Sequence, residues 1–146
     1  MVRIFHTILM ALLLGCYSFE YPKITRADLE KSVFVFCDAS YCEHIINWND
    51  FSKKEQAIIL EWLECSANGL KVSVNTYAPN IIIKGERYSI NFIRDLVVYN
   101  YQINHRKWRQ GIRQRNVDDL KVINCIMRRM KDETLRICIE SKVSRT

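Results

Sequence analysis

Two sets of residues in this chain are of the types that do chemistry: its cysteines and one basic stretch. The cysteines are Cys16, Cys37, Cys42, Cys65, Cys125 and Cys138, and the chain holds only three histidines. Thiolate and imidazole together suit zinc or a nucleophile with its base, so Cys37, Cys42 and His44 are the place to look. The spacing C-x4-C-x-H is not a recognised zinc pattern. On a helix, Cys42 and His44 point about 200° apart. Cys37 and His44, seven residues apart, share a helix face, but a core cysteine near a surface histidine explains them equally well. No HExxH, GxSxG, phosphate loop or GxGxxG occurs. Glu61 and Glu64, three apart, are the usual content of a solvated helix face. The sequence therefore reads as non-enzymatic, with no metal and no cofactor.

Whether the cysteines pair depends on the compartment, and the first residues bear on that. MVRIFHT carries one arginine and no acid, ILMALLL is unbroken apolar, and Gly15, Cys16 and Ser18 are small. This is the three-part layout of a secretory signal. Its apolar core is far shorter than the roughly 20 residues that span a bilayer, so no transmembrane segment is expected after its removal. Residues 1–18 are thus read as a signal peptide and residues 19–146 as a single domain, secreted and extracellular. Cys16 would leave with the signal. In the alternative, Leu13-Leu14-Gly15-Cys16 resembles a bacterial lipobox, and Cys16 would anchor a periplasmic lipoprotein.

An oxidising destination favours disulfides among Cys37, Cys42, Cys65, Cys125 and Cys138. Their number is odd, which leaves one thiol free or available for a disulfide-linked dimer. If residues 29–48 form one helix, Cys37 and Cys42 lie about 7.5 Å apart along its axis and face apart, too far for a bridge. Cys125 and Cys138 on one continuous helix lie about 19.5 Å apart. An antiparallel helix pair turning near Asp50 brings Cys37 and Cys65 to similar heights, so Cys37–Cys65 is the expected bridge. Cys42 would then reach Cys125 or Cys138. Loops of this length imply about 3 to 4 kcal/mol per bridge in the chain-entropy description.

The elements that must position these residues read as mainly helical. Only four glycines and two prolines punctuate the chain, 49% of it is hydrophobic, and about 128 residues suit one core. Thr25 with Asp28, Ser52 with Glu55, and Asn116 with Asp119 are helix starts. Leu29, Val33, Phe36, Tyr41, Ile45 and Trp48 recur at helical steps, although SVFVF by itself also reads as a buried strand. Ile58, Ile59, Trp62 and Leu63 define a second helix ended by Asn68-Gly69. Ile90, Ile93, Val97, Tyr101, His105 and Trp108 suggest a third, started by Ser89. Leu120, Ile123, Met127 and Met130 suggest a fourth. Residues 70–90 alternate, and Lys84-Gly85 suits a turn, so a short β-hairpin is an option there. The expected fold is a small four-helix bundle stapled by about two disulfides.

The strongest functional signal is HRKWRQGIRQR, residues 105–115, which holds Arg106, Lys107, Arg109, Arg113 and Arg115 around Trp108. No acid occurs between Asp95 and Asp118, and the whole chain carries a net charge of +6. Arg128, Arg129 and Lys131 form a second cluster. A basic helix end of this kind is an electrostatic footprint for an anionic partner. Outside a cell that means an acidic protein, a sulfated glycan or an anionic lipid surface rather than nucleic acid. The function expected is a secreted binding or signalling polypeptide, of the extracellular-mediator or seminal-fluid type. The alternatives are a periplasmic lipoprotein acting as an inhibitor or immunity protein, and an extracellular carrier of a small apolar ligand.

Overall fold

Tyr88, Ile90 and Phe92 are buried, while Ser89, Asn91 and Ile93 between them are half-buried. That alternation is the period of a strand, not of a helix. In a computed structural model of the chain, residues 21–37, 43–73 and 80–143 are described, by backbone alone at 43–44 and 133–143. The order of elements is α1 (Arg26–Glu30), β1 (Val33–Cys37), β2 (Glu43–Asn47), a 3-10 turn (Trp48–Asp50), α2 (Lys53–Cys65), β3 (Lys71–Ser73), β4 (Ile81–Lys84), β5 (Tyr88–Ile93), β6 (Leu96–Asn104), β7 (Lys107–Gln114) and α3 (Val117–Val143). The strands form one seven-stranded sheet in the order β2-β1-β4-β5-β6-β7-β3. Every neighbouring pair is antiparallel.

The sheet buries one face against the helices. Phe34, Ile46, Ile81, Ile83, Ile90, Phe92, Val97 and Tyr99 meet Leu29, Ile59, Trp62, Val122, Ile126 and Met130 in a single core. Trp48 and Phe51 close its end against Phe34, with Phe34 and Phe51 edge to face at 4.7 Å. Burying side chains of this size is the main stabilising term, at about 1.5 to 3 kcal/mol each.

Local chemistry explains the helix starts. Thr25 and Asp28 cap α1 reciprocally, as do Ser52 and Glu55 for α2. Asn116 Oδ1 accepts from the Asp118 and Asp119 backbone N–H groups, both at 3.0 Å, and opens α3. After α2 the chain turns at Gly69, whose φ of +74° is a conformation only glycine takes without strain. α2 and α3 pack on each other, and Arg129 of α3 forms an ion pair with Glu55 at the start of α2.

The mainly α, four-helix bundle expected from the sequence is therefore corrected to a β-sheet covered by helices. The stretch expected as a first long helix holds α1, β1 and β2. The stretch expected as a third helix, begun by Ser89, is β5, β6 and β7, joined by two-residue turns at 94–95 and 105–106. Ile90, Ile93, Val97 and Tyr101 do fall at helical steps. Tyr88, Ile90, Phe92, then Val97, Tyr99 and Tyr101, fall equally well at steps of two, and β-branched and aromatic residues fit a pleated surface better. In the 70–90 region, β4 pairs with β5 across Gly85, whereas β3 pairs with the distant β7. The buried side of α3 also differs from the expected stripe. Val122, Cys125 and Ile126 face the core, while Leu120 and Met127 are 42% and 40% exposed.

The disulfide staples are corrected as well. Cys37, Cys65 and Cys125 are free thiols. Cys37 shares a strand face with Val33 and Val35, opposite to the face of Phe34 that meets the helices, so it cannot approach Cys65 at the end of α2. The antiparallel helix pair on which that bridge rested does not exist. Residues 1–18 with Cys16, the Cys42 side chain and the Cys138 side chain lie outside the described residues.

Candidate partner-binding hairpin

The basic stretch 105–115 is the turn and second strand of the β6–β7 hairpin, not a helix end. Strand geometry divides its residues between two faces and two ends. At the far end, Asn104 stands opposite Lys107 and Gln102 opposite Trp108. The register slips between Gln102 and Asn104, a bulge that leaves Ile103 39% exposed. Asn104 Oδ1 accepts from the Arg106 backbone N–H at 3.1 Å and shapes the turn. Arg106, Lys107 and Arg109 are exposed there, and Trp108 between them is 52% exposed. Among the described residues, neither Arg106 nor Lys107 has an ion-pair partner. Arg109 stands opposite Tyr101 in register and acts on its hydroxyl.

Arg113 and Arg115, also among the partner-binding candidates, stand in a different setting. Arg113 is on the same face as Arg109, but at the other end of the strand, where that face meets the core. It is buried against Asp119, to which it donates twice, both at 2.6 Å. It also donates to the Ser66 carbonyl at 2.7 Å. The Trp62 indole N–H completes the site by donating to Asp119 at 2.7 Å. Burial pushes the Asp119 carboxyl up, and the hydrogen bonds from Arg113, the Asn116 backbone and Trp62 outweigh it, leaving its pKa below the usual carboxylate range. Arg115 holds Asp95 across the base of the hairpin at 3.5 Å. The hairpin thus has a structural base and an exposed cationic end.

The second cluster is divided too. Arg129 is committed to Glu55, while Arg128 and Lys131 are exposed on α3. The sequence reading missed the Trp62–Asp119–Arg113 network. Asp119 was legible as a helix cap, but its second function depends on Arg113 arriving from a neighbouring strand. Among the described residues, no group of three or more histidine, cysteine, aspartate or glutamate side chains is placed to hold a metal ion. No described helix is long and apolar enough to cross a membrane.

Set against known proteins, the chain matches no family model, no curated protein and no solved structure.

Proposed function

We propose that this chain is a non-enzymatic binding protein that presents the end of its β6–β7 hairpin to an anionic partner: an acidic protein, a sulfated glycan or an anionic lipid surface. The supporting observation is the exposed Trp108 standing between Lys107 and Arg109, beside Arg106, on a hairpin with no acid from residue 96 to residue 117. Half of a large aromatic ring is left in water where burial would be favourable, and Arg106 and Lys107 have no ion-pair partner among the described residues. A partner that covers the ring and supplies anions removes both costs.

The test is retention of the full chain on immobilised heparin and on anionic vesicles. Binding should weaken steeply with salt, since the screening length falls from about 10 Å at 0.1 M to about 3 Å at 1 M. Replacing Arg106, Lys107 and Arg109 together with glutamine should lower the eluting salt concentration without lowering the thermal midpoint. Trp48 and Trp62 are buried, so a blue shift of tryptophan emission on binding reports Trp108. If the triple variant elutes like the unmodified chain from both matrices, the proposal fails.

A further inference from the structure

A second site lies away from the hairpin, between the segment that leads into α1 and the outer side of α2, and we infer that it binds a small amphiphile with an apolar body and a single carboxylate, of the fatty-acid type. The cleft measures about 690 Å³, within the range of pockets that hold small organic ligands. Its walls are Tyr21, Pro22 and Ile24 on one side and Leu60 and Leu63 on the other, with Tyr99 lining it from the sheet. Leu60 and Leu63 are three apart on α2 and therefore share a face. They remain half-buried, while Ile59 and Trp62 on the neighbouring face fill the core.

Two polar features give the ligand its chemistry. The Tyr99 side chain is 3% exposed, and its hydroxyl is buried without a hydrogen-bond partner. Burial drives its pKa upward, against smaller opposing effects of Ser66 and Arg113, so the group is a neutral O–H donor at any physiological pH. Among the described residues none accepts from it in good hydrogen-bond geometry. The Arg113 guanidinium offers only donors, and the Ser66 hydroxyl, which donates to the Leu63 carbonyl at 2.9 Å, keeps its lone pairs but does not meet the Tyr99 hydroxyl in that geometry. A ligand oxygen would meet that need. At the rim stand Lys23, Arg26 and Glu64. Arg26 is paired with Glu30 at 2.9 Å, whereas Lys23 has no ion-pair partner among the described residues. An apolar body against Leu60, Leu63 and Ile24, with a carboxylate answering Lys23 or Tyr99, suits this lining. The inference is independent of the hairpin reading.

The probe is dodecanoate, titrated into the full chain by calorimetry, with dodecyltrimethylammonium as the cationic counterpart. Dodecanoate should bind saturably at one site, and the cation should bind more weakly. Leu63→Glu should abolish binding, and Lys23→Glu should weaken it about fivefold. Tyr99→Phe should weaken it about three- to tenfold, the worth of one hydrogen bond. Tyr99→Phe should also leave the thermal midpoint of the ligand-free chain unchanged or raised, because it removes a buried hydroxyl with no well-formed hydrogen bond among the described residues; a purely structural hydroxyl would give a lower midpoint. Absence of saturable dodecanoate binding, unchanged affinity in Leu63→Glu, tighter binding of the cation, or a lowered midpoint in Tyr99→Phe would each overturn the inference. The heparin result has no bearing on these outcomes.

Discussion

Arg113 of β7 and Asp119 of α3 form a two-point ion pair in the interior, with Nη1 to Oδ2 and Nη2 to Oδ1 both at 2.6 Å. The pair joins the sheet to the first turn of the long C-terminal helix. It also reaches α2 at two points, through Trp62 and the Ser66 carbonyl. The neighbouring β7 and α3 thus share one charged node with α2, some fifty residues earlier in the chain, and Asp119 at its centre is fully buried. A buried ion pair is not by itself a large stabiliser, because both charges give up water. With further hydrogen bonds from Trp62 and the Asn116 backbone to Asp119, and from Arg113 to the Ser66 and Gln114 carbonyls, it is expensive to break.

Removing one partner leaves the other charge buried and alone. Arg113→Gln and Asp119→Leu should each lower stability by about 3 to 5 kcal/mol. Urea midpoints measure this directly. Arg106→Gln and Lys107→Gln, at the exposed end of the same hairpin, should shift the midpoint by less than about 0.5 kcal/mol. Equal effects at the two ends would contradict the division of the basic stretch into a structural base and a binding end.

The same node sets the acid limit of the fold. The Asp119 carboxyl holds its proton less tightly in the folded chain than in the unfolded one. Its contribution is therefore fully present above the unfolded value of about 3.9 and is lost as pH falls through the lower folded value. Glu55 acts in the same direction: burial pushes its carboxyl up, and bonds from Ser52 and Arg129 more than reverse this. Stability measured by urea should be flat near neutrality and fall below about pH 4. Asp119→Asn should be less stable at neutral pH and show a shallower fall in acid.

The thiols should differ in reactivity and should not be linked. Non-reducing peptide mapping should find no Cys37–Cys65 bridge, since both are free. Cys65 is exposed and should be alkylated first. Cys125 should be slowest, because it is buried and its pKa is pushed up to about 11, chiefly by that burial. Rapid labelling of Cys125 in the native state would show that α3 does not sit on the sheet as described.

Gly111 is a seat for Tyr21. A Cβ at residue 111 would overlap the Tyr21 hydroxyl, and the Tyr21 ring lies edge-on to Tyr101 at 4.8 Å and to Tyr99 at 5.9 Å. Gly111→Ala should displace the ring and cost about 1 to 3 kcal/mol. Combining it with Tyr21→Ala should cost less than the sum of the two single changes, because the clash is then absent. Strict additivity would mean that Tyr21 does not rest on Gly111.

Features that depend on near neighbours along the chain were legible before any fold was known. Ser52 with Glu55, Thr25 with Asp28, and Asn116 with Asp119 are capping pairs that satisfy helix N–H groups within four residues, so three helix starts were legible. Gly69 after α2 was legible for the same local reason. The cationic Arg106–Arg109 segment was legible as charge, but not as a hairpin end. Other features depend on partners far away in the chain. VFVFC at 33–37 and the stretch from Ser89 to Gln114 satisfy both helical and strand periods, and the choice falls to strands because each finds an antiparallel neighbour on both sides of an apolar face. β3 lies beside β7, Arg113 meets the Ser66 carbonyl and Trp62 meets Asp119 only once the sheet and helices have packed. A pattern along the chain states which residues prefer burial; whether they bury as a helix or a strand, and which cation is consumed by the core, is set by pairing energies between segments that sequence order does not bring together.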